Sequence, residues 1–265
     1  TLTGTAGTNG DAIALASGTI GTGSTAGDVT LTGTGTIDLD STVQGTGSFI
    51  VQPVGTSDTL GIGDGATGSL VFDTTSATNL STFTTATFGY ATGTGAIDVE
   101  TAVFSLPTII QSWGVGGTID VDAALSTTGS NNLTLRSGQA FTVSSSGSIT
   151  TVSGDLEIRG NADGSGDAIS TGDFDGVDFA GDITTTDGAV TVIGRGGNVG
   201  GDGIRMIDSD MLLQSTGTGG SVGTWNFTGT AESGTGNDSG INYTQGEIRT
   251  VDADINLTGT TSASG

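Results

Sequence analysis

Apolar residues in this chain recur at every second position over runs of three to five residues, and then the pattern stops. "VTL" at Val29, "IDL" at Ile37, "FIV" at Phe49, "LVF" at Leu70, "IDV" at Ile97 and again at Ile119, "LTL" at Leu133, "FTV" at Phe141, "LEI" at Leu156, "INY" at Ile241 and "INL" at Ile255 share it. Strict alternation places successive side chains on opposite faces, so each run predicts a short strand with one buried face. No stretch carries a helical period, and the abundance of Gly with β-branched Thr, Val and Ile disfavours helices. The expected class is all-β.

Strands this short, separated by Gly-, Asn- and Asp-rich turns, fit a sandwich, a barrel or a solenoid. An internal repeat selects among them. "LEIRGNADGSGDAI" from Leu156, "VTVIGRGGNVGGDGI" from Val190, "WNFTGTAESGTGNDSGI" from Trp225 and "INLTGTTSASG" from Ile255 align as a strand, a Gly-rich loop of variable length and a second strand starting near the isoleucine. In this alignment Ile169, Ile204 and Ile241 are equivalent, and "TGTAGTNGDAI" near the N-terminus ends in the same way at Ile13. Length variation confined to the loop is what stacked coils produce. The expected architecture is a right-handed parallel β-helix, one continuous solenoid over 1–265 of about ten to fourteen coils, each of about twenty residues or slightly more. Within it, 1–44 reads as Gly/Thr-rich coils, 45–150 as bulkier central coils holding both prolines, and 151–265 as Gly/Asp-rich repeats of about 30–35 residues.

Composition agrees with a narrow core. Of 265 residues, 50 are Gly and 33% are hydrophobic. Ladders of Ile, Val and Leu suffice when each inward residue rests on its equivalent in the next coil, which leaves outward positions free for Thr, Ser, Asp and Asn. Five Lys+Arg against 28 Asp+Glu give a net charge of -23, which repels nucleic acid and anionic headgroups. No apolar run reaches the length of a membrane span, and with no Cys there are neither disulfides nor Cys metal sites.

The strand pattern "TLTGTAGTNGDAIAL…GDVTLTGTGTIDL", the later "VTVIGRGGNVGGDGI" and "INLTGT", and the central "GSLVFDTT…GGTIDV…NNLTLRSG…GSITT" resemble the β-strand repeats of giant bacterial surface proteins, the filamentous haemagglutinin-like adhesins. The resemblance implies export to the bacterial cell surface and a structural, non-catalytic role as an extended shaft or extracellular filament. The chain opens on "TLTGTAG" and closes on "INLTGTTSASG", the same motif, which predicts continuation end to end into further repeats or a second copy. Its expected partners are therefore itself and cell-surface glycans.

Motifs with chemical readings are weighed against structural ones. "GDGATG" (Gly63 to Gly68) matches GxGxxG but leads into a strand, so the helix N-terminus that would hold a pyrophosphate is missing. "GNVGGDGI" (Gly197 to Ile204) has Asn198 where the calcium nonapeptide needs Gly, and lacks tandem copies. Asp163, Asp167, Asp173, Asp175, Asp178 and Asp182 form the densest acidic cluster, with Asp173, Asp175 and Asp178 as the first candidates for calcium. Turn aspartates on a solvated edge explain them more simply. Without His or Lys, lyase chemistry has only Arg136, Arg159, Arg195, Arg205 and Arg249 to draw on, and Arg159 and Arg195 look like stacked equivalents. Thr-x-Thr pairs would suit an ice lattice if evenly spaced, which they are not. Six sequons occur, at Asn79, Asn132, Asn226, Asn237, Asn242 and Asn256, and Trp113, Trp225, Phe174, Phe179 and Tyr243 are candidates for sugar stacking or core filling. The sequence thus assigns no catalytic, cofactor-binding or metal-ligating residue; calcium, glycan and ice define the alternative, a binding module, ahead of a polysaccharide-degrading enzyme.

Overall fold

A computed structural model of the chain describes residues 1–5, 11–21, 27–218, 222–232 and 238–261. The strands wind into three faces. The first face stacks ten strands, from Leu2–Thr5 through Val29–Asp38 to Trp225–Ala231 and Ile255–Thr261. The second runs from Asp11–Ala14 to Ile241–Tyr243. Six strands from Ala102–Phe104 to Glu247–Arg249 make the third, and below them Val43–Gln44 pairs with Leu80–Ser81. Every one of these strand pairings is parallel. Because Val29–Asp38 turns the corner between the first two faces, they form one 19-stranded sheet. This is the all-β, parallel β-helix that the alternating pattern predicts.

The alternation works as a ladder. On the first face Leu2, Leu31, Val51, Phe88, Ile110, Leu135, Ile158, Val192, Phe227 and Leu257 stand one on another in register. The eight inner rungs are buried, whereas Leu2 and Leu257 at the two ends are 43% and 49% exposed. Burying each inner rung contributes about 1.5–3 kcal/mol. In the lower coils the core is wider: Phe49, Phe72, Phe83, Phe88 and Phe104 form a tilted stack with ring centroids 5.0 to 6.0 Å apart.

Coil length departs in places from the expected twenty residues or slightly more, while the upper coils have the length of the repeat of about 30–35 residues read from the sequence. Leu31 to Val51 spans 20, but Val51 to Phe88 spans 37, and the coils rising from Ile158, Val192 and Phe227 take 34, 35 and 30. Ten levels result, at the low end of the expected range, because much of the chain leaves the barrel wall.

It leaves in two ways. In the 37-residue coil, Leu60–Ile62 enters the second face, Gly63–Ser69 folds back, and Leu70–Phe72 enters the same face one level lower, between Leu60–Ile62 and Val29–Asp38. The short helix Thr74–Thr78 follows, capped by the Asp73 carboxylate, which accepts from Ser76 N. In the upper coils, loops instead leave between the first and second faces through pairs of glycines. A methyl on Gly160 would lie 1.8 Å from Gly176 O, on Gly194 2.1 Å from Gly203 O, and on Gly229 1.8 Å from Gly240 O. The first two pairs pinch the necks of loops over 161–175 and 195–202, and the third closes the first face on the second in the same way at Gly229 and Gly240. "GRGGNVGGDGI" is one such neck and its loop.

The necks correct the alignment at one point. Val177, not Ile169, is in register with Ile204 and Ile241. Ile169 lies in the longest loop, where Ala162 and Ala168 form an antiparallel bridge.

Candidate functional site

The loops 161–175 and 195–202 project where the first face passes into the second, and they form a ridge that holds Asp163, Asp167, Asp173 and Asp175, with Asp178 and Asp182 on the strands that follow. Asp163 accepts from Ser165 N and Asp167 N, bonds that hold its carboxyl below the usual range. Asp175 and Asp178 flank Arg205 at 3.6 and 2.9 Å. Burial nevertheless pushes both of these carboxyls up. Asp182 accepts from Leu212 N one coil above, and Asp173 bridges to Gly200. Asp175 and Asp178 thus share Arg205, but the six aspartates do not converge on one point.

The other motifs on the ridge are bound into it as well. Asn198 accepts from Gly172 N, and Asp202, 7% exposed, accepts from Ser239 N and from the Asn242 amide. These bonds join the coil of "GNVGGDGI" to its neighbours. Asn161 is fully buried; its Oδ1 accepts from Ile169 N and Ser170 N, and its amide donates to Arg195 O one coil above.

All five arginines pair with outward carboxylates. Arg159 does not stack on Arg195, as the alignment suggests, but on Arg136, and its upper neighbour is Ile193. Glu157 sits between Arg136 at 3.2 Å and Arg159 at 2.6 Å. Burial alone would raise its carboxyl, but the hydrogen bond from Arg159 and the two positive charges hold it below the usual range. Arg195 pairs with Glu232 and, at 3.6 Å, with Asp167. Arg159 and Arg195 also donate to Asp163 O and Gly166 O, gripping the 161–175 loop from two levels.

The aromatic candidates divide. Trp225 and Phe179 are core residues. Trp113 lies under the Arg136 guanidinium, 5.0 Å from its ring centroid, and donates its indole N–H to Ala162 O. Tyr243, 43% exposed, donates to Gly246 O. Among the sequons, the Asn79 amide donates to Leu39 O, Asn132 accepts from Asp155 N, and Asn256 donates to Asn226 one level below; Asn237 lies outside the described residues. The "GDGATG" glycines serve the return between Ile62 and Leu70. Gly63 and Gly65 have φ of 101° and 90°, and a methyl on Gly68 would lie 2.5 Å from Gly61 N.

The structure adds a group the motif reading missed. "IDVE" from Ile97 and "IDVD" from Ile119 lie on adjacent strands of the second face with Asp98 beside Asp120. Oxygens of Asp98, Glu100 and Asp122 come within 4.8 Å of one another, the one such carboxylate group among the described residues. Burial, and after it the charges of Asp98 and Asp122, push Glu100 up. Asp120 is raised by burial and then by Asp122 and Asp98, against a lowering hydrogen bond from Thr142. Asp98 Oδ2 accepts from Thr67 N and Oγ1, while its Oδ1 is buried without a partner. An all-oxygen donor set of this charge suits a hard divalent cation such as calcium. The repeated I-D-V-acid tetrapeptide was the available signal.

Matching against protein-family models, curated proteins and solved structures returned no similar protein. No helix among the described residues is long and apolar enough to cross a membrane.

Proposed function

We propose that the chain is a structural, non-catalytic segment of an exported bacterial surface adhesin or extracellular filament, acting as an extended rigid shaft. The observation that carries this reading is the unbroken ladder from Leu2 to Leu257, ten rungs with eight of them buried, rising about 4.8 Å per level. Such a stack resists extension because every level is hydrogen-bonded to the next, and polar side chains reinforce the same axis. Asp202, Asn161, Asn256 and Asp182 each bond to an adjacent coil. Scarce Lys and Arg offer few sites to trypsin-like proteases, and the net charge of -23 keeps neighbouring shafts apart. The expected partners are further coils of the same kind and, at the cell surface, glycans. The test is gold labelling of intact source cells with an antibody to this chain, with cryo-electron imaging of released material. Surface label on thin fibres with an axial repeat near 4.8 Å is expected; label confined to the cell interior, or compact particles, would overturn the reading.

A second reading, a cation-binding module on the same scaffold, is favoured by one observation, the Asp98, Glu100 and Asp122 trio. Calorimetric titration of the chain with calcium checks it: saturable heat that disappears in Glu100→Gln supports the module, and no heat in the parent chain removes it.

A further inference from the structure

Charge is divided unevenly between the sides of the solenoid. The strands of the first face, with Val29–Asp38 counted as far as its corner after Thr34, hold three of the five arginines, Arg136, Arg159 and Arg195, and one of the 28 acidic residues, Glu157. Three positive charges and one negative give this face +2, so the rest of the chain carries -25 of the net -23. The four levels of the face from Val29 to Ser112 hold no charged residue, and the arginines and Glu157 occupy the three levels above. The second face is of the opposite kind, with Asp98, Asp120 and Asp178 at outward positions against one arginine, Arg205.

The first face also carries apolar side chains on its outer side. Ile50, Ile109 and Ile193 stand outward and half-buried among Thr, Gln and Asn. Strands of about five residues at about 3.3 Å each, over the eight inner levels at about 4.8 Å, give a flat surface of about 600 Å². Two such faces in contact bury about 1,200 Å², the lower bound of a specific interface. The third face is also poor in charge, but its six strands of three or four residues offer only about 300 Å².

We propose that two copies of this chain pair side by side, first face against first face, with their axes antiparallel. The pairing does not depend on the shaft reading. Any contact through the second face brings carboxylates of one copy towards those of the other, so the net charge holds copies apart on that side while leaving the first face open to its like. A two-fold pair with parallel axes would set the levels of Arg136, Arg159 and Arg195 in both copies at one height. With antiparallel axes, each set of arginines faces the uncharged levels of the other copy, and the contact remains isologous. Covering Ile50, Ile109 and Ile193 supplies the apolar part of the contact.

Sedimentation velocity over a concentration series tests the pairing. At about 1 M salt, where the screening length falls to about 3 Å, the chain is expected to form a dimer that weakens as salt is lowered and repulsion between the acidic sides returns. Thr87→Glu and Gln111→Glu each place a carboxylate at an outward, half-buried position of the uncharged levels. Both are expected to keep the circular dichroism of the parent and to weaken the dimer at least about tenfold. Thr150→Glu, outward on the third face, is the matched control and is expected to leave the dimer unchanged. Equal weakening by all three would overturn the assignment to the first face. Orientation is read from a spin label on Thr228→Cys, an exposed position one level above the arginines in a chain without other Cys. Antiparallel axes set the two labels of a dimer several strand spacings of about 4.8 Å apart; labels at one height would overturn that orientation. A parent chain that stays monomeric at every salt and concentration would overturn the pairing while leaving the shaft reading to the cell-labelling result.

Discussion

The lower coils, 45–150, and the upper coils, 151–265, solve the same problem differently. Each must fit more chain than a minimal turn needs. The lower coils keep the excess inside: they add Leu70–Phe72 to the wall and fill the widened interior with Phe49, Phe72, Phe83, Phe88 and Phe104. The upper coils expel it through glycine necks and fasten the loops to the barrel with Asn161, Asp202, Arg159 and Arg195. Stability therefore resides in apolar packing below and in close backbone approach with buried polar bonds above. The charges divide in the same way: the Asp98, Glu100, Asp120 and Asp122 group has no arginine partner among the ion pairs of the described residues, whereas Glu157, Asp167 and Asp178 do.

The largest effect is expected from Phe88→Ala, which removes the ring shared by Phe72 and Phe104 and should cost about 3–5 kcal/mol in denaturant unfolding. Gly194→Val, aimed at a neck, should cost about 1–3 kcal/mol, because the added side chain meets Gly203 O and the backbone must move. Regional hydrogen exchange should show the first change loosening the lower coils and the second the upper ones; the same pattern from both would erase the distinction. Asp202→Asn places an amide against donors at Ser239 N and Asn242, and a loss of about 1–3 kcal/mol is expected in the same unfolding assay.

The smallest effects are electrostatic. Glu100→Gln relieves repulsion from Asp98 and Asp122 and should stabilise by no more than about 0.5 kcal/mol at pH 7, read as a small rise in Tm. The pH dependence takes its sign from whether burial or the hydrogen bonds and charges around a carboxyl prevail. Asp38, Glu100 and Asp120 have carboxyls raised in the fold, so their contribution grows as pH falls through the raised values and is full below the ordinary carboxylate range of about pH 4. Asp175 and Asp178 in the upper coils follow the same sign. Glu157 and Asp163 are lowered, so their contribution is present above that range and is lost as pH falls through the lowered values. Regional hydrogen exchange should show protection around Glu100 rising between about pH 7 and about pH 4, and protection around Glu157 falling only as pH is taken below about 4.

Much of this was legible in the alternation of Ile, Val and Leu. That pattern needs only local information, since period two decides which side chains face inward whatever the distance to the next strand. The ladder from Leu156 through Val190 and Trp225 to Ile255 was likewise visible because its strands begin alike. Contacts across coils of unequal length were not. The loop containing Ile169 defeated the alignment because a neck is defined by Gly160 meeting Gly176 in space, and sequence shows only many glycines. The carboxylate trio escaped because "IDVE" and "IDVD" read as ordinary strands until register sets them side by side. The Asp163 to Asp182 run, dense along the chain, is dispersed because successive residues belong to a loop, a corner and two faces.

The return at Gly63–Ser69 affects the shape of the whole object. From Val29–Asp38 to the coil of Thr85–Tyr90 and Ile97–Val99, the first face rises two strand spacings and the second rises three. A stack with one extra layer on one side contains an edge dislocation, as a crystal does when a half-plane is inserted. The eleven residues from Leu60 to Leu70 thus insert a wedge one strand thick into one side of the stack, at one defined height along its axis.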